Sequence, residues 1–171
     1  MGDGTALFHA DHGNLASGGD VGLPGVATLN EMNRKLKKQT DEKGLQYLNI
    51  PLAYVIAPVA IEGATESFFR SEYRSDPDTI ATDSSMASTQ QNIWYNRTMR
   101  VYDPRLDGTS ETAWYGAGPK NTVTVFFLDG REAPTMESQK GWSVQGVEYD
   151  VYIDCGAKAV SWKALQSNPG A

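Results

Sequence analysis

The sequence predicts an α+β fold, with helices packed on a mixed sheet. Three observations carry that expectation. Leu29, Met32 and Leu36 recur at helical spacing. A strand-like run, LQYLNIPLAYVIA at 45–57, separates that helix from a second stretch with an apolar helical face at 59–70. From Asn92 onward the chain turns to β-prone runs divided by turn residues.

The elements follow in order. Residues 1–27 hold Gly2, Gly4, Gly13, Gly18, Gly19, Gly22 and Gly25 and read as loop, with one short strand at Ala6–His9. Thr28, with Glu31 three residues on, forms a capping box that starts a helix over 28–40. Its Lys and Gln residues face solvent, and Asp41-Glu42-Lys43-Gly44 ends it. In 45–57, Val55 and Ile56 give a buried strand, which Pro51 interrupts or confines to an edge. Pro58 suits the first turn of the next helix. Ile61, Ala64, Phe68 and Phe69 form that helix's apolar face, with Glu62 and Glu66 turned outward.

Residues 71–91 are polar, with Tyr73, Ile80 and Met86 as the large apolar groups, and read as a long exposed loop. Strands are expected at 92–102, 112–116, 121–128 and 146–154. Asp129-Gly130 closes the third of these with a turn. In the fourth, Val147, Tyr149, Val151 and Ile153 alternate with Glu148, Asp150, Tyr152 and Asp154, which predicts one buried and one wetter face. A short helix and a flexible SNPGA tail complete the chain.

Composition narrows the classes of function. Four Trp, eight Tyr and five Phe in 171 residues exclude disorder from end to end. The net charge is −6, and the densest basic cluster, Arg34, Lys35, Lys37 and Lys38, falls at a helix end where it complements the dipole. Sequence-specific nucleic-acid binding is not expected. Cys155 is the single cysteine, so no intrachain disulfide forms. The first residues lack the basic and apolar regions of a signal peptide. No apolar run approaches the roughly 20 residues of a membrane span, and a soluble chain, intracellular when made, is expected. Asn96-Arg97-Thr98 matches a glycosylation sequon that carries little meaning outside a secretory route.

Few residues suggest chemistry. His9-Ala10-Asp11-His12 resembles part of a metal-ligand run, but there is no third histidine to complete it. The alternative is a Gly-ended turn in which Asp11 and His12 hydrogen-bond locally. Cys155, between Asp154 and Gly156, reads as a small core residue rather than a nucleophile. Asp76/Asp78 and Asp103/Asp107 lie in turn contexts that favour Asp for backbone bonding. No G-x-S-x-G motif, phosphate loop or dinucleotide fingerprint occurs. No catalytic residue, cofactor or metal is therefore assigned, and the chain is not expected to be an enzyme.

Several stretches resemble the major head subunit of Mu-like phages and prophages. They are DGTALFHADHGNLA, LNIPLAYVIAPVAIEGA, VTVFFLDGREAPTMES, GVEYDVYIDCGAKAVSWKAL and the NPGA terminus, in that order along nearly the whole chain. The resemblance implies a Hong Kong 97-type capsid fold, in which a central domain of helices on a sheet joins a peripheral domain of long antiparallel strands. It divides the chain into a lead-in (1–27), a central domain (28–145) and a returning peripheral strand with tail (146–171). The family's N-terminal arm, extended loop and spine helix have no candidate here, so the chain resembles the C-terminal half of such a subunit.

The implied role is structural, in the virion head of a phage, with the protein made in the bacterial host cytoplasm. The implied partners are other copies in hexamers and pentamers, with scaffold or portal proteins, and no membrane. Acidic balance suits a wall that faces packed DNA without binding it. Two other classes stay open on the residues alone: a metal-dependent hydrolase using His9, Asp11 and His12, and a generic binding module using the 71–91 loop.

Overall fold

The computed structural model describes residues 4–41, 43–75, 89–119, 123–140 and 145–170. It has the helices and the mixed and antiparallel sheets of an α+β fold. The chain divides into two compact units, Met1–Thr122 with Ser161–Ala171, and Val123–Val160. None of the described helices is long and apolar enough to cross a membrane.

In the first unit, helix α1 spans Val26–Lys38. It starts two residues before Thr28 because Gly25, in extended backbone, is the N-cap. Thr28 sits inside the first turn, where its hydroxyl accepts the Gly25 N–H at 2.9 Å and donates to Leu23 O at 3.0 Å. The expected cap residue is thus present but works from within the helix. Glu31 pairs with Arg34 instead of closing a box. Leu29, Met32 and Leu36 are buried, as their spacing predicted.

The strand expected over 45–57 is confined to Tyr54–Ala57, β1. Asn49, at φ 48°, and Pro51 break the extended run before it. Upstream, Thr40 bridges Tyr47, and the Asp41 carboxylate caps the turn by accepting Leu45 N–H at 2.8 Å. Pro58 precedes a 3-10 turn, Val59–Ile61, that leads into α2, Glu62–Arg70. The buried face of α2 is Thr65 and Phe69 in line with Ile61, while Phe68 is only partly buried and Ala64 is exposed.

Glu66 does not point outward. It accepts from Arg100 Nε at 2.6 Å and Tyr102 OH at 2.9 Å, and from Arg70 Nε at 2.7 Å. The apolar face of α2 is rotated so that this carboxylate meets the sheet. Burial works to raise the Glu66 carboxyl, but hydrogen bonds from Tyr102, Arg100 and Arg70 outweigh it and hold it below its ordinary value. Burial and the same hydrogen bond push the Tyr102 phenol above its ordinary range.

Beyond α2, short strands β2 (Tyr73–Ser75) and β3 (Thr89–Gln91) pair antiparallel. The expected loop 71–91 therefore has paired ends, and its middle, residues 76–88, lies outside the described residues. The strand expected at 92–102 is only Met99–Tyr102, β4. A turn occupies 93–97, with Asn96 at φ 46°, and inserts Trp94 into the core. The Trp94 indole N–H donates to Asn30 Oδ1 at 3.0 Å. One helical turn, α3 (Pro104–Asp107), follows, and then β5, Trp114–Ala117.

The main sheet runs β10-β5-β1-β4, where β10 is Leu165–Asn168. β1 and β4 are parallel, while β5 is antiparallel to β1 and to β10, so the sheet is mixed. Val55 and its partner Gly116 look toward α1, where any Cβ on Gly116 would run into the Met32 sulfur. The last segment is strand, not helix, and Ser167 and Asn168 of the expected flexible tail are buried. The reason lies at the other end of the chain. Ala16 N–H donates to Ser167 O and Ser167 N–H to Asn14 O, both at 2.8 Å, so the lead-in covers the outer edge of β10. Residues 6–9, read as a strand, form no strand; a 3-10 turn at Ala10–His12 follows them.

Candidate assembly surface

The second unit is built from two short ribbons continuing along one chain path. β6 (Val123–Phe127) pairs antiparallel with β9 (Cys155–Ala159). β7 (Thr135–Lys140) pairs with β8 (Val147–Tyr152). Between them, residues 128–134 on the outgoing side lie opposite 153–154 on the return, including a 3-10 turn at Leu128–Gly130 with Asp129 at φ 53°. β7 was not anticipated, because Glu137, Ser138, Gln139 and Lys140 lack strand propensity. Its strand character comes from its pairing with β8.

Side chains alternate across such ribbons, and the register sorts them by chemistry. On β6–β9, Val123, Val125 and Phe127 share a face with Cys155, Ala157 and Ala159. On β7–β8, one face holds Met136, Val147, Tyr149 and Val151, with Ser138 and Lys140. The other face holds Glu137, Glu148 and Asp150, with Glu137 and Asp150 directly opposite each other. The alternation read in 146–154 is thus present, but every residue of β8 is exposed, so the expected buried face is not buried within the chain.

The apolar exposure is large: Met136 is 68% exposed, Tyr149 67%, Val151 61% and Phe126 55%. Cys155, expected in a core, is exposed. Residues 121–122 of the strand expected at 121–128 lie outside the described residues. A two-stranded ribbon is marginally stable in water unless something packs on it. Exposed apolar patches of this kind mark interaction surfaces.

The residues weighed for chemistry have local roles. The His12 ring is buried and stacks on Trp162, with centroids 4.4 Å apart and planes 3° apart. Its Nδ1 lies 3.3 Å from Leu7 O, and its Nε2 lies 2.7 Å from the Thr5 hydroxyl. His9 Nδ1 accepts the Asp11 N–H at 3.2 Å, capping the 3-10 turn, and Gly13 closes that turn at φ 62°. The largely exposed Asp11 carboxylate lies 3.3 Å from His9 Nδ1. Among the described residues, no three His, Cys, Asp or Glu side chains come together as a metal site.

Asp103 caps α3, and hydrogen bonds from Arg105 hold its carboxyl down to about 2. Asp107 accepts Ala60 N–H at 3.2 Å. Asp76 and Asp78 lie outside the described residues.

A family model described as phage capsid protein matches residues 1–168. No curated protein matches the chain.

Proposed function

Because the chain belongs to this phage capsid protein family, and is thus a structural protein of the phage head that assembles with other capsid subunits, we propose that the 123–160 ribbon is a principal assembly surface, used in building capsomers. The observation that carries this is the uncovered apolar face of β7–β8, with Tyr149 67% and Val151 61% exposed in a strand pattern made for burial. A shell subunit needs surfaces that only a neighbour completes, and this face has that character.

The finer reading is that the chain corresponds to the C-terminal half of a Mu-like head subunit with the Hong Kong 97-type fold. Resemblance of its segments, in order, supports it. On that reading α1, β1 and α2 with the mixed sheet belong to the central domain, the returning strand falls within 146–171, and hexamers and pentamers are the assembled forms. Scaffold or portal proteins would be further partners. The test is sedimentation velocity and negative-stain microscopy across a wide concentration range. Discrete ring-sized species growing with concentration are expected. A strict monomer at every concentration would overturn the assembly reading.

A further inference from the structure

We propose that the open edge of β4 is a contact between copies: Met99–Tyr102 pairs antiparallel with the same strand of a second copy, about a two-fold axis at Val101. The pairing deepens the assembly reading and rests on it for its role, while using a surface apart from the ribbon.

The two edges of the mixed sheet differ. The β10 edge is covered by the lead-in. β4 has β1 on one side and, among the described residues, no strand on the other. Met99 and Asp103 turn their N–H groups inward, donating to Ala53 O and Ala57 O at 2.9 and 3.1 Å. Backbone groups alternate in direction along a strand. Arg100 and Tyr102 therefore turn theirs outward, and no described group pairs with them. An edge of this kind is a template for another strand.

The ends of the open stretch decide which strand fits. Before it, Thr98 O already accepts from Arg100 Nη1 at 3.1 Å. After it comes Pro104, which has no N–H. Two residues with free backbone groups remain, Arg100 and Tyr102, with Val101 between them. A two-fold axis at Val101 sets each Arg100 opposite the second copy's Tyr102, and four N–H···O bonds then satisfy every free group. Moving the axis to Arg100 would set two arginines directly opposite each other, where like charges repel. Moving it to Tyr102 would require the N–H that Pro104 lacks. The edge is complementary to itself in this one register.

The side chains agree. Arg100 and Tyr102 point to the α2 side, where Glu66 accepts from both, so the seam brings two carboxylates to two arginines. Met99 and Val101 lie on the other face, 62% and 44% exposed. In the seam Val101 meets the second copy's Val101 directly, and each Met99 lies on the diagonal beside it. Apolar surface left open in one copy is covered by the other. The contact is isologous and closes as a pair. Four backbone bonds make it weak alone, and it strengthens where another surface already holds the copies together.

Single-cysteine variants of the whole 171-residue chain, built on Cys155→Ser, test the register. At a non-hydrogen-bonded antiparallel pair the Cα atoms lie about 4.5 Å apart, within the roughly 4.4–6.8 Å of a disulfide. Val101→Cys should therefore give a disulfide-linked dimer under mild oxidation. Met99→Cys, at the more exposed position, is the comparison. Its counterpart in the seam lies four residues along the strand, about 13 Å away, out of disulfide reach. Val101→Cys should cross-link about tenfold faster or more, because docked thiols react as a single molecule. The same preference is expected with Tyr149→Ser and Val151→Ser in the ribbon, since β4 lies in the first unit. Equal rates, or a faster Met99→Cys, would overturn the pairing. Independently, Val101→Lys and Val101→Glu should each self-associate less than wild type, and their equal mixture should recover as opposite charges meet across the seam. A mixture no better than either variant alone would also overturn it. Ring-sized species without the cross-linking preference would sink the pairing and leave the assembly reading standing. A dimer trapped at 101 with no larger species would leave the pairing and sink the ribbon as a principal surface.

Discussion

Asn168 reaches across 146 residues of sequence to accept the Gly22 N–H on its Oδ1 at 3.2 Å. The same oxygen accepts Gly170 N–H at 3.0 Å, and its Nδ2 donates to Asp20 O at 2.9 Å. One buried amide thus serves three backbone groups and joins the lead-in to the end of the last strand. Gly170 completes the join at φ 77°, pressed against the Thr112 carbonyl where no Cβ fits.

Asn168→Ala should destabilise the first unit by about 1–3 kcal/mol, because it leaves buried backbone groups without partners. Urea unfolding followed by Trp fluorescence reads this. A loss under about 0.5 kcal/mol, the range of an unremarkable surface change, would show that water or neighbouring groups replace the amide fully.

Thr65→Val should act in the opposite direction. The Thr65 side chain is buried, and its hydroxyl has no hydrogen-bond partner. Valine has nearly the same shape without the polar group, so the desolvation cost disappears. A gain of about 1 kcal/mol is expected. A loss in thermal or denaturant unfolding would contradict the assignment of that hydroxyl as unpaired.

Glu66 should give stability a specific acid dependence. Its carboxyl is held below the ordinary value of 4.5 in the folded chain. As pH falls, the unfolded state takes up the proton first, so the contribution of Glu66 is complete above about 4.5 and fades below it. The stability difference between wild type and Glu66→Gln should therefore be largest near neutral pH and shrink as pH drops below that value. Unfolding curves between pH 7 and pH 3 check the sign; a difference that grows with acidity would refute it.

Much of this fold was readable where apolar spacing decides structure. Leu29, Met32 and Leu36 marked the buried face of α1, and Val55 marked the strand beneath it. Thr28 marked the helix start to within two residues, because a hydroxyl satisfies the same free amides from the cap or the first turn. What escaped was structure imposed by distant partners. β10 reads Leu-Gln-Ser-Asn, with no apolar alternation, and is buried because residues 13–16 and 20–22 satisfy its polar groups. The face of α2 was misassigned because Glu66 looked like a solvent residue, and nothing local reveals that Arg100 and Tyr102 wait for it. On the candidate surface, the alternation in β8 was legible. Alternation alone does not say whether the covering layer belongs to the same chain.

The apolar face of β8 should matter for assembly and not for folding. Tyr149 is 67% exposed, so replacing it removes little buried area from the isolated chain. Tyr149→Ser combined with Val151→Ser should leave the unfolding of the first unit within about 0.5 kcal/mol of wild type, as surface changes usually do. Assembly should respond strongly. Covering an aromatic and a branched side chain at an interface is worth about 25 cal/mol per Å² of apolar surface, and a tenfold change in association needs only about 1.4 kcal/mol. Sedimentation at matched concentrations, alongside Trp-monitored unfolding, separates the two effects. Unchanged assembly with unchanged stability would make the face ordinary exposed surface. Unfolding at much lower denaturant would instead mean that the face is covered within its own chain.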